Sequence, residues 1–377
     1  MQGFIRAANA DKFGECVSQP AVQNYFDTTT PPRGQPAASA GPEPGKTPKI
    51  SVIITNYNYA GFLGEAIESV LAQTHDRVEC IVVDDGSTDA SRDVIAAYPQ
   101  VKALFQANSR QANAARAGLR LATGSVVIFL DSDDYLHPEA CSTIAAQWRD
   151  DMSALFYRLQ IIEGHTPTNR TWPDKPFLRG GEREFVLKFG FIPSAPTSGN
   201  AFSRAHVERV FAMAQGLDQN SFDMALTNAA PFTGRVATTE QALGSYRIHA
   251  SNLTSYGKRQ SLRSVKLGLY YAFHAQQTAR VLARASGTAL PAWDWLSGPY
   301  NLKNHLLTRG FESPGLALPP RGALACALEA ARQFAAWRGL PLTRRAANIC
   351  SVMLFALLPR PLRRRISERV YAIDFGN

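Results

Sequence analysis

Three aspartates follow a buried-type strand in the segment FLDSDDYL at residues 129–136, and they are Asp131, Asp133 and Asp134. Residues i and i+2 of an extended chain point to the same side, so Asp131 and Asp133 can converge while Asp134 points away. Two converging carboxylates repel each other unless a proton or a cation lies between them. Oxygen ligands of this kind suit Mg²⁺ or Mn²⁺. We therefore predict a divalent metal site here, with a solvated polar turn as the alternative, and we expect Asp134 to brace the loop through backbone hydrogen bonds.

A second acidic pair, Asp84 and Asp85, ends the segment VECIVVDD at residues 78–85. Ligands of an open α/β sheet bind beyond the carboxyl ends of its strands. If both acidic clusters follow parallel strands of one sheet, their side chains lie at the same edge. The two clusters together therefore predict a ligand site with excess negative charge.

The elements that would position these aspartates alternate along the chain. Apolar, β-branched runs at residues 50–55, 78–85, 101–106 and 124–130 indicate buried strands, and segments with helical apolar spacing separate them. This alternation predicts an α/β fold with an open, mostly parallel sheet covered by helices on both faces. SALFYRLQII and residues 235–249 are expected to add strands, residues 163–200 to form a mobile loop region, and the chain beyond about 258 to be helical.

Composition narrows the class of protein. The chain has 377 residues, 45% of them hydrophobic, and a net charge of +9, which favours an anionic partner such as a nucleotide or a membrane surface. Its five cysteines lack zinc-site spacing, which argues against a metal finger or a disulfide framework and favours a reducing cytoplasm. Residues 1–49 are rich in Pro, Gly, Ala and Ser in their second half and are predicted to be a disordered tail.

Four motifs in order resemble a known family. SVIITNYNYAGFLGEAIESVLAQT, VECIVVDDGSTDAS, NSRQANAARAGLRLATGSVVIFLDSDD and YRIHASN are similar to the inverting nucleotide-sugar glycosyltransferases with the GT-A fold, the nucleotide-diphospho-sugar transferases of family 2. The resemblance covers about residues 50–255. It implies a GT-A domain at 50–257, a helical extension at 258–377, and a hexosyltransferase-type enzyme using a nucleotide-sugar donor, with UDP as the expected nucleotide.

The resemblance also implies roles for single residues on the donor side. In the family, the TNYN loop and the DDGS carboxylates hold the base and ribose, which correspond here to Thr55, Tyr57, Asp84 and Asp85. The alternative for Asp84 is that it only caps the following turn or helix. Arg116 matches a helix that faces the nucleotide, and its alternative is a plain surface cation.

The metal and the diphosphate of the donor are assigned by the same resemblance. Asp131 would reach the ribose or the metal, and Asp133 would ligate Mg²⁺ or Mn²⁺, which in the family bridges the diphosphate. In YRIHASN, His249 would contact the metal or the diphosphate and Arg247 would support the phosphates. A hydrogen-bonded structural histidine is the alternative for His249.

The family uses an acidic residue in its second half as the base that takes the proton of the acceptor. The segment GLDQNSFDMALTNAA offers Asp218 and Asp223, and Asp223 is preferred because the apolar MAL follows it, as in the family. The preceding PTSGNAFSR (196–204) resembles the acceptor-side loop, whose small residues would allow an acceptor to approach closely. The acceptor would be a glycan, a lipid-linked molecule or a protein.

Several departures limit the assignment. The segment NSRQANAARAG lacks the glycine that the family often carries there, and the QxxRW motif of processive synthases is absent, which favours single additions in surface polysaccharide or glycoconjugate assembly. A nucleotidyltransferase would need a Gly-rich basic loop after the first strand, and a dehydrogenase would need GxGxxG. No nucleic-acid-binding module is recognisable, so no nucleic acid partner is expected. A non-catalytic nucleotide-sugar or glycan-binding module of the same fold stays the main alternative.

The C-terminal segment RRAANICSVMLFALLPRPLRRR (344–365) places 14 residues of low charge between Arg345 and Arg360. A bilayer-spanning helix needs about 20 apolar residues, so this segment is too short to span. It could lie in the membrane interface, with its arginines at anionic headgroups, as a peripheral contact at the inner face of the membrane. The alternative is an ordinary core helix followed by a solvated basic tail.

Overall fold

The structure is a computed structural model that describes residues 47–174, 176–213, 222–249, 260–289, 297–311, 321–337, 340–371 and 373–374. Almost all of the predicted tail and Asp218, one of the two candidate bases, lie outside these residues.

Four parallel strands form the first half of the sheet: β1 Ile50–Asn56, β2 Val78–Asp84, β3 Lys102–Phe105 and β4 Val126–Asp131. They lie in the order β3-β2-β1-β4. Thr55 pairs with Asp131, and Asn56 pairs with Asp84. The two acidic clusters therefore lie at one edge of the sheet, as the sequence predicts.

The second half of the sheet is mixed and is built from β5 Tyr135–Leu136, β6 Met152–Glu163, β7 Thr166–Trp172, β8 Asn200–Ser203 and β9 Arg235–Ile248. Beyond β4 the order is β8-β6-β9-β5, with β7 paired to β6. β8 runs antiparallel to both neighbours, while β6 and β9 are parallel. The open α/β sheet is confirmed, and its uniformly parallel part is the half that carries the acidic clusters.

Helices cover both faces of this sheet: α1 Ala60–Leu71, α2 Ser91–Ala96, α3 Gln111–Leu121, α4 Ala140–Gln147, α5 Glu182–Phe189, α6 Arg204–Met213 and α7 Phe222–Ala229. Strand parity divides the core, because Val52 packs with Leu63 of α1 on one face while Ile53 packs with Ala115 of α3 on the other. The prediction of a loop region at 163–200 is wrong in part. That stretch contains β7 and α5, which the sequence hides because β7 is a largely polar strand paired only with β6.

The last part of the chain is helical, as predicted. After β10 Gln260–Ser261 come α8 Leu262–Ala285, α9 Pro299–Thr308, α10 Ala323–Ala336, α11 Leu342–Leu357, α12 Arg360–Val370 and finally β11 Ile373–Asp374. Helix α8 belongs to two cores, because Leu282 packs in the sheet core while Leu269 packs with the C-terminal helices. Among the described helices, none combines the length and the hydrophobicity needed to cross a bilayer.

Candidate active site

Strand β4 ends at Asp131, and the turn that follows carries Ser132, Asp133 and Asp134, with the backbone N–H of Asp134 donating to the carbonyl of Asp131 at 3.0 Å. Asp131 and Asp133 are partly exposed, whereas Ser132 and Asp134 are buried, which is the parity that the sequence predicts. Asp134 accepts a hydrogen bond from the backbone N–H of Arg247 at 3.0 Å and another from the Ser198 hydroxyl at 2.6 Å. The predicted bracing role of Asp134 is confirmed, with a hydroxyl donor in addition to the backbone.

Asp133 and His249 meet at this edge although 116 positions separate them. Nε2 of His249 lies 2.9 Å from Oδ2 of Asp133. The imidazole packs between aromatic rings, with ring centroids 4.8 Å from Phe62 and 5.8 Å from Tyr59. Burial and then the charge of Asp133 raise the pKa of the Tyr59 hydroxyl. The aromatic contacts hold the imidazole of His249 with Nε2 at the carboxylate of Asp133.

Arg247 is buried, and its guanidinium contacts the protein rather than the open edge. Nε donates to the carbonyl of Asp133 at 2.9 Å, and Nη1 donates to the carbonyl of Gly164 at 2.6 Å. Nη2 forms an ion pair with Glu65 of α1. These contacts make Arg247 a brace for the loop that carries Asp133, and the predicted contact with phosphates stays a prediction.

Negative charge accumulates around Asp131. Its Oδ1 accepts from the Gln111 amide at 2.8 Å, and its backbone N–H donates to Ser198 Oγ at 3.1 Å. Burial first, and then the charges of Asp133 and Asp223, raise the pKa of Asp131 to about 8. The site favours a cation because nearby carboxylates can ionise together only when positive charge compensates them.

The preferred base, Asp223, lies in the first turn of α7, where the helix dipole stabilises negative charge. The Thr197 hydroxyl donates to Asp223 Oδ2 at 3.4 Å, and the next residue, Ser198, accepts from the backbone N–H of Asp131 at 3.1 Å. Burial raises the pKa of Asp223. Asp223 is thus brought to the metal-site candidates, and the choice between it and Asp218 stays a prediction.

Thr197 belongs to the short 3₁₀ helix Thr197–Gly199 within the segment that resembles the acceptor-side loop. The small size of Gly199 has a packing cause. A Cβ at this position would lie 2.2 Å from the Cβ of Ala195 and 3.1 Å from the carbonyl oxygen of Tyr157. At Gly199, therefore, the space is filled by the protein itself rather than left for an acceptor.

The carboxylate of Asp84 is fully buried and braces the turn after β2. It accepts from the Asn56 amide at 3.0 Å and from the backbone N–H of Ser87 at 3.3 Å. Asn56 in turn donates to Ser87 Oγ at 3.1 Å, which ties β1 to the turn. The turn-capping role considered for Asp84 is present, and a contact with the nucleotide stays a prediction.

Asp85 holds the segment before α3. Its Oδ1 accepts from the Ser109 backbone N–H at 2.9 Å, and its Oδ2 accepts from the Arg110 backbone N–H at 2.9 Å. Arg110 has φ 75° and ψ 159°, a backbone conformation that is essentially confined to glycine. The next residue, Gln111, bonds Asp131, so Arg110 lies between the two acidic clusters. Sequence reasoning noted the missing glycine but did not propose Arg110 for the site.

Three other residues are predicted to bind the nucleotide-sugar, and only two of them lie at the end of β1. Thr55 and Tyr57 are partly exposed at the carboxyl end of β1, beside Asp131. Arg116 instead donates to the carbonyl of Phe211 at 2.6 Å, with its guanidinium carbon 4.6 Å from the ring centroid. These contacts hold Arg116 against α6, and its predicted contact with the nucleotide stays untested.

The candidate metal ligands suit an ion that also binds phosphate oxygens and water. In the described ranges, no three His, Cys, Asp or Glu side chains converge closely enough to hold an ion alone. Asp131, Asp133 and His249 nevertheless offer two carboxylates and an imidazole in a region of excess negative charge. This fits Mg²⁺ or Mn²⁺, since Mg²⁺ takes few protein ligands and completes its shell with phosphates and water.

Comparison with solved structures finds TarS from S. aureus, crystallised with UDP. It is 16% identical to this chain with a TM-score of 0.47, over 82% of this chain and 90% of that one. The superposition is partial, and the assignment to a family rests on sequence instead.

Sequence comparisons agree with one another. An uncharacterized glycosyltransferase from Nostoc sp. is 40% identical over 214 residues, which are 54% of this chain and 66% of that protein, just under two thirds. EpsH of Bacillus subtilis, named provisionally as a glycosyltransferase, is 34% identical over 240 residues, 60% of this chain and 68% of EpsH. The family model described as glycosyl transferase family 2 matches residues 51–211. Because the match to EpsH exceeds 30% identity over more than two thirds of that protein, the chain belongs to glycosyltransferase family 2.

Proposed function

We propose that this protein transfers a hexose-type sugar from a nucleoside diphosphate donor, with UDP as the expected nucleotide, to an acceptor hydroxyl with inversion. The observation that supports this most is the joining of Asp223 to Asp131 by neighbouring residues of one 3₁₀ helix, since Thr197 bonds the carboxylate of Asp223 and Ser198 bonds the backbone N–H of Asp131. A base candidate and a metal-site candidate are thereby held side by side at one edge of the sheet.

On the donor side, Asp131, Asp133 and His249 would hold Mg²⁺ or Mn²⁺. A divalent ion bound there would neutralise charge on the departing diphosphate. Asp84 and Asp85 shape the loops that receive the nucleotide, and Thr55 and Tyr57 adjoin them at the end of β1. Arg247 acts through the protein by fixing the backbone of the loop that carries Asp133.

On the acceptor side, the carboxylate of Asp223 takes the proton of the acceptor hydroxyl. The acceptor oxygen forms a bond to the anomeric carbon as the bond from that carbon to the phosphate oxygen breaks, and the electron pair leaves with the nucleoside diphosphate. A single displacement from the face opposite the leaving group inverts the anomeric centre. The raised pKa of Asp223 suits this role, because a general base works best with a pKa near the working pH.

The acceptor class is proposed to be a glycan, a lipid-linked molecule or a protein, modified by single additions in the cytoplasm during polysaccharide or glycoconjugate assembly. A non-catalytic binding module of the same fold is the second candidate. It is less favoured because Asp131, Asp133, His249 and Asp223 are all present together.

The test is a screen of UDP-, GDP- and TDP-sugars with Mg²⁺ or Mn²⁺, read as nucleoside diphosphate release and as thermal stabilisation. Release that Asp223→Asn abolishes and Asp218→Asn leaves intact supports the proposal. Thermal stabilisation without release, across donors and metals, would instead identify a binding module. If neither nucleoside diphosphate release nor thermal stabilisation occurs with any sugar, binding of a nucleotide-sugar is contradicted.

A further inference from the structure

Exposed leucines concentrate in the C-terminal helices. Seven of the ten large hydrophobic side chains that are exposed in the described part of the chain lie between residues 300 and 362. The five most exposed are Leu357 (78%), Leu342 (76%), Leu324 (55%), Leu328 (54%) and Leu354 (50%). Scattered single leucines need no explanation, whereas neighbouring exposed apolar side chains are typical of interaction surfaces.

Four of these leucines lie at one end of an antiparallel helix pair. Arg345, near the start of α11, donates to the carbonyls of Leu340 at 2.7 Å and Ala335 at 3.4 Å, at the end of α10. The first half of α10 and the last half of α11 therefore occupy the same end of the pair. We call the side chains there the leucine surface, and they are Leu324, Leu328, Leu354 and Leu357.

Helix α11 presents one face outward along its length. Only Val352 and Phe355 of this helix are buried. Its exposed apolar positions recur with helical spacing and include Ala346, Ala347, Cys350, Leu354 and Leu357. The helix carries no acidic residue. Val352 and Phe355 pack in the core of the C-terminal helices, so this helix is a core helix on one face and an exposed, largely apolar helix on the other.

Positive charge accompanies the leucines. Residues 297–377 contain twelve Lys or Arg and four Asp or Glu, which accounts for nearly all of the net charge of +9. On α12, Leu362, Arg365 and Arg369 are exposed at i, i+3 and i+7, and so share one face. Other arginines of the cluster are engaged internally, since Arg363 donates to the Leu306 carbonyl and Arg364 pairs with Glu368.

We propose that the leucine surface and the exposed arginines of α12 dock this protein on an anionic lipid bilayer. The leucines enter the interface between headgroups and acyl chains, and Arg365 and Arg369 lie at the lipid phosphates. Charge complementarity selects this occupant, because α12 begins three residues after Leu357 and carries five arginines against one acidic residue, which matches an anionic membrane surface. The proposal goes beyond glycosyl transfer and does not depend on it.

The experiment is co-sedimentation of the full chain with vesicles of phosphatidylcholine alone or mixed with phosphatidylglycerol. We expect binding to the anionic vesicles that weakens as salt is added. Leu354→Gln with Leu357→Gln should lower the affinity about tenfold or more, since both side chains lose burial in the interface. Arg365→Gln with Arg369→Gln should lower it about 30-fold and reduce its salt dependence.

Matched controls are Leu71→Gln on α1 and Arg120→Gln on α3, which change an exposed leucine and an exposed arginine elsewhere. Circular dichroism confirms that each variant folds, and nucleotide-sugar turnover in solution reports separately on the proposed activity. Absence of vesicle binding, or equal binding by parent and both double variants, overturns the proposal. A dimer that the leucine variant dissociates, without any vesicle binding, would assign the surface to a second copy of the chain and also overturn it.

Discussion

Asp133 is held through its backbone by Arg247 of β9 and through its carboxylate by His249, which directly follows β9. Its backbone carbonyl accepts from Nε of Arg247 at 2.9 Å, and its carboxylate lies 2.9 Å from Nε2 of His249. The same short segment thus fixes the position of the loop and the direction of its carboxylate. Arg247 reaches further to Glu65, so the position of this loop also depends on a contact with α1.

The first prediction concerns the carboxylate and imidazole pair. Asp133→Asn and His249→Asn should each lower kcat about 100-fold or more, since each removes a ligand that would stabilise charge on the leaving group. The concentration of Mn²⁺ needed for half-maximal rate should rise in both variants. Asp150→Asn, an exposed carboxylate away from the site, is the control. An unchanged metal requirement in both site variants would contradict the metal assignment.

The second prediction concerns Arg247→Lys. A lysine ammonium cannot reproduce the fork that bonds the carbonyls of Asp133 and Gly164 together with Glu65. We expect the free energy of unfolding to fall by about 3 kcal/mol, because buried acceptors lose their donors. Urea titration measures this change. The metal requirement should rise too, and a variant with the parent stability would show that the brace is dispensable.

The third prediction uses the strained backbone at Arg110. Residues held in this region cost about 1–3 kcal/mol, whereas glycine adopts it freely at a smaller entropic cost. Arg110→Gly should therefore raise the free energy of unfolding by about 1 kcal/mol, and Arg110→Ala should not. If the guanidinium contacts the donor, both variants raise the donor KM about tenfold, the loss of one charge-assisted hydrogen bond. Equal free energies of unfolding in the Gly and Ala variants would show that the backbone at Arg110 does not destabilise the folded protein.

The fourth prediction concerns pH and His206, which is buried against the Leu226 carbonyl and the Thr233 hydroxyl. Burial lowers the pKa of His206 to about 4, while a histidine of the unfolded chain titrates near about 6.5. Only the unfolded state takes up this proton as the pH falls between these values. The contribution of neutral His206 is therefore complete above pH 6.5 and is lost as the pH falls to 4, by about 3 kcal/mol.

His206→Gln isolates this effect, because glutamine does not titrate. The difference in free energy of unfolding between parent and variant should narrow by about 3 kcal/mol from pH 7 to pH 4. His274 and His305 also have pKa values lowered to about 4, mainly by burial, and both remain in the variant. A difference that does not change with pH would show that His206 titrates normally.

Local pattern was sufficient for part of the site. The spacing of Asp131, Asp133 and Asp134 gave the right pattern of exposure, although the backbone after Asp131 is a turn rather than the extended chain that the prediction assumed. The placement of Asp84 and Asp131 at one edge of the sheet followed from parallel pairing alone. This second prediction needed only the geometry of a parallel sheet.

Long-range contacts could not be predicted in the same way. Nothing near Arg247 in the sequence indicates that its guanidinium turns inward to Glu65, 182 positions away. Thr197 and Ser198 join Asp223 to Asp131 only because the 3₁₀ helix and α7 fold against β4. The strand β7 was missed because hydrogen bonds to β6, rather than apolar periodicity, define it.

Helix α8 ties the two ends of the molecule together mechanically. Its 24 residues form a rod of about 36 Å, anchored at Leu282 in the sheet and at Leu269 among the C-terminal helices. A rod fixed at both ends transmits orientation. A molecule resting on its leucines would therefore hold its catalytic edge at a set height and tilt above the lipid, and lengthening or bending α8 would change which acceptors come within reach.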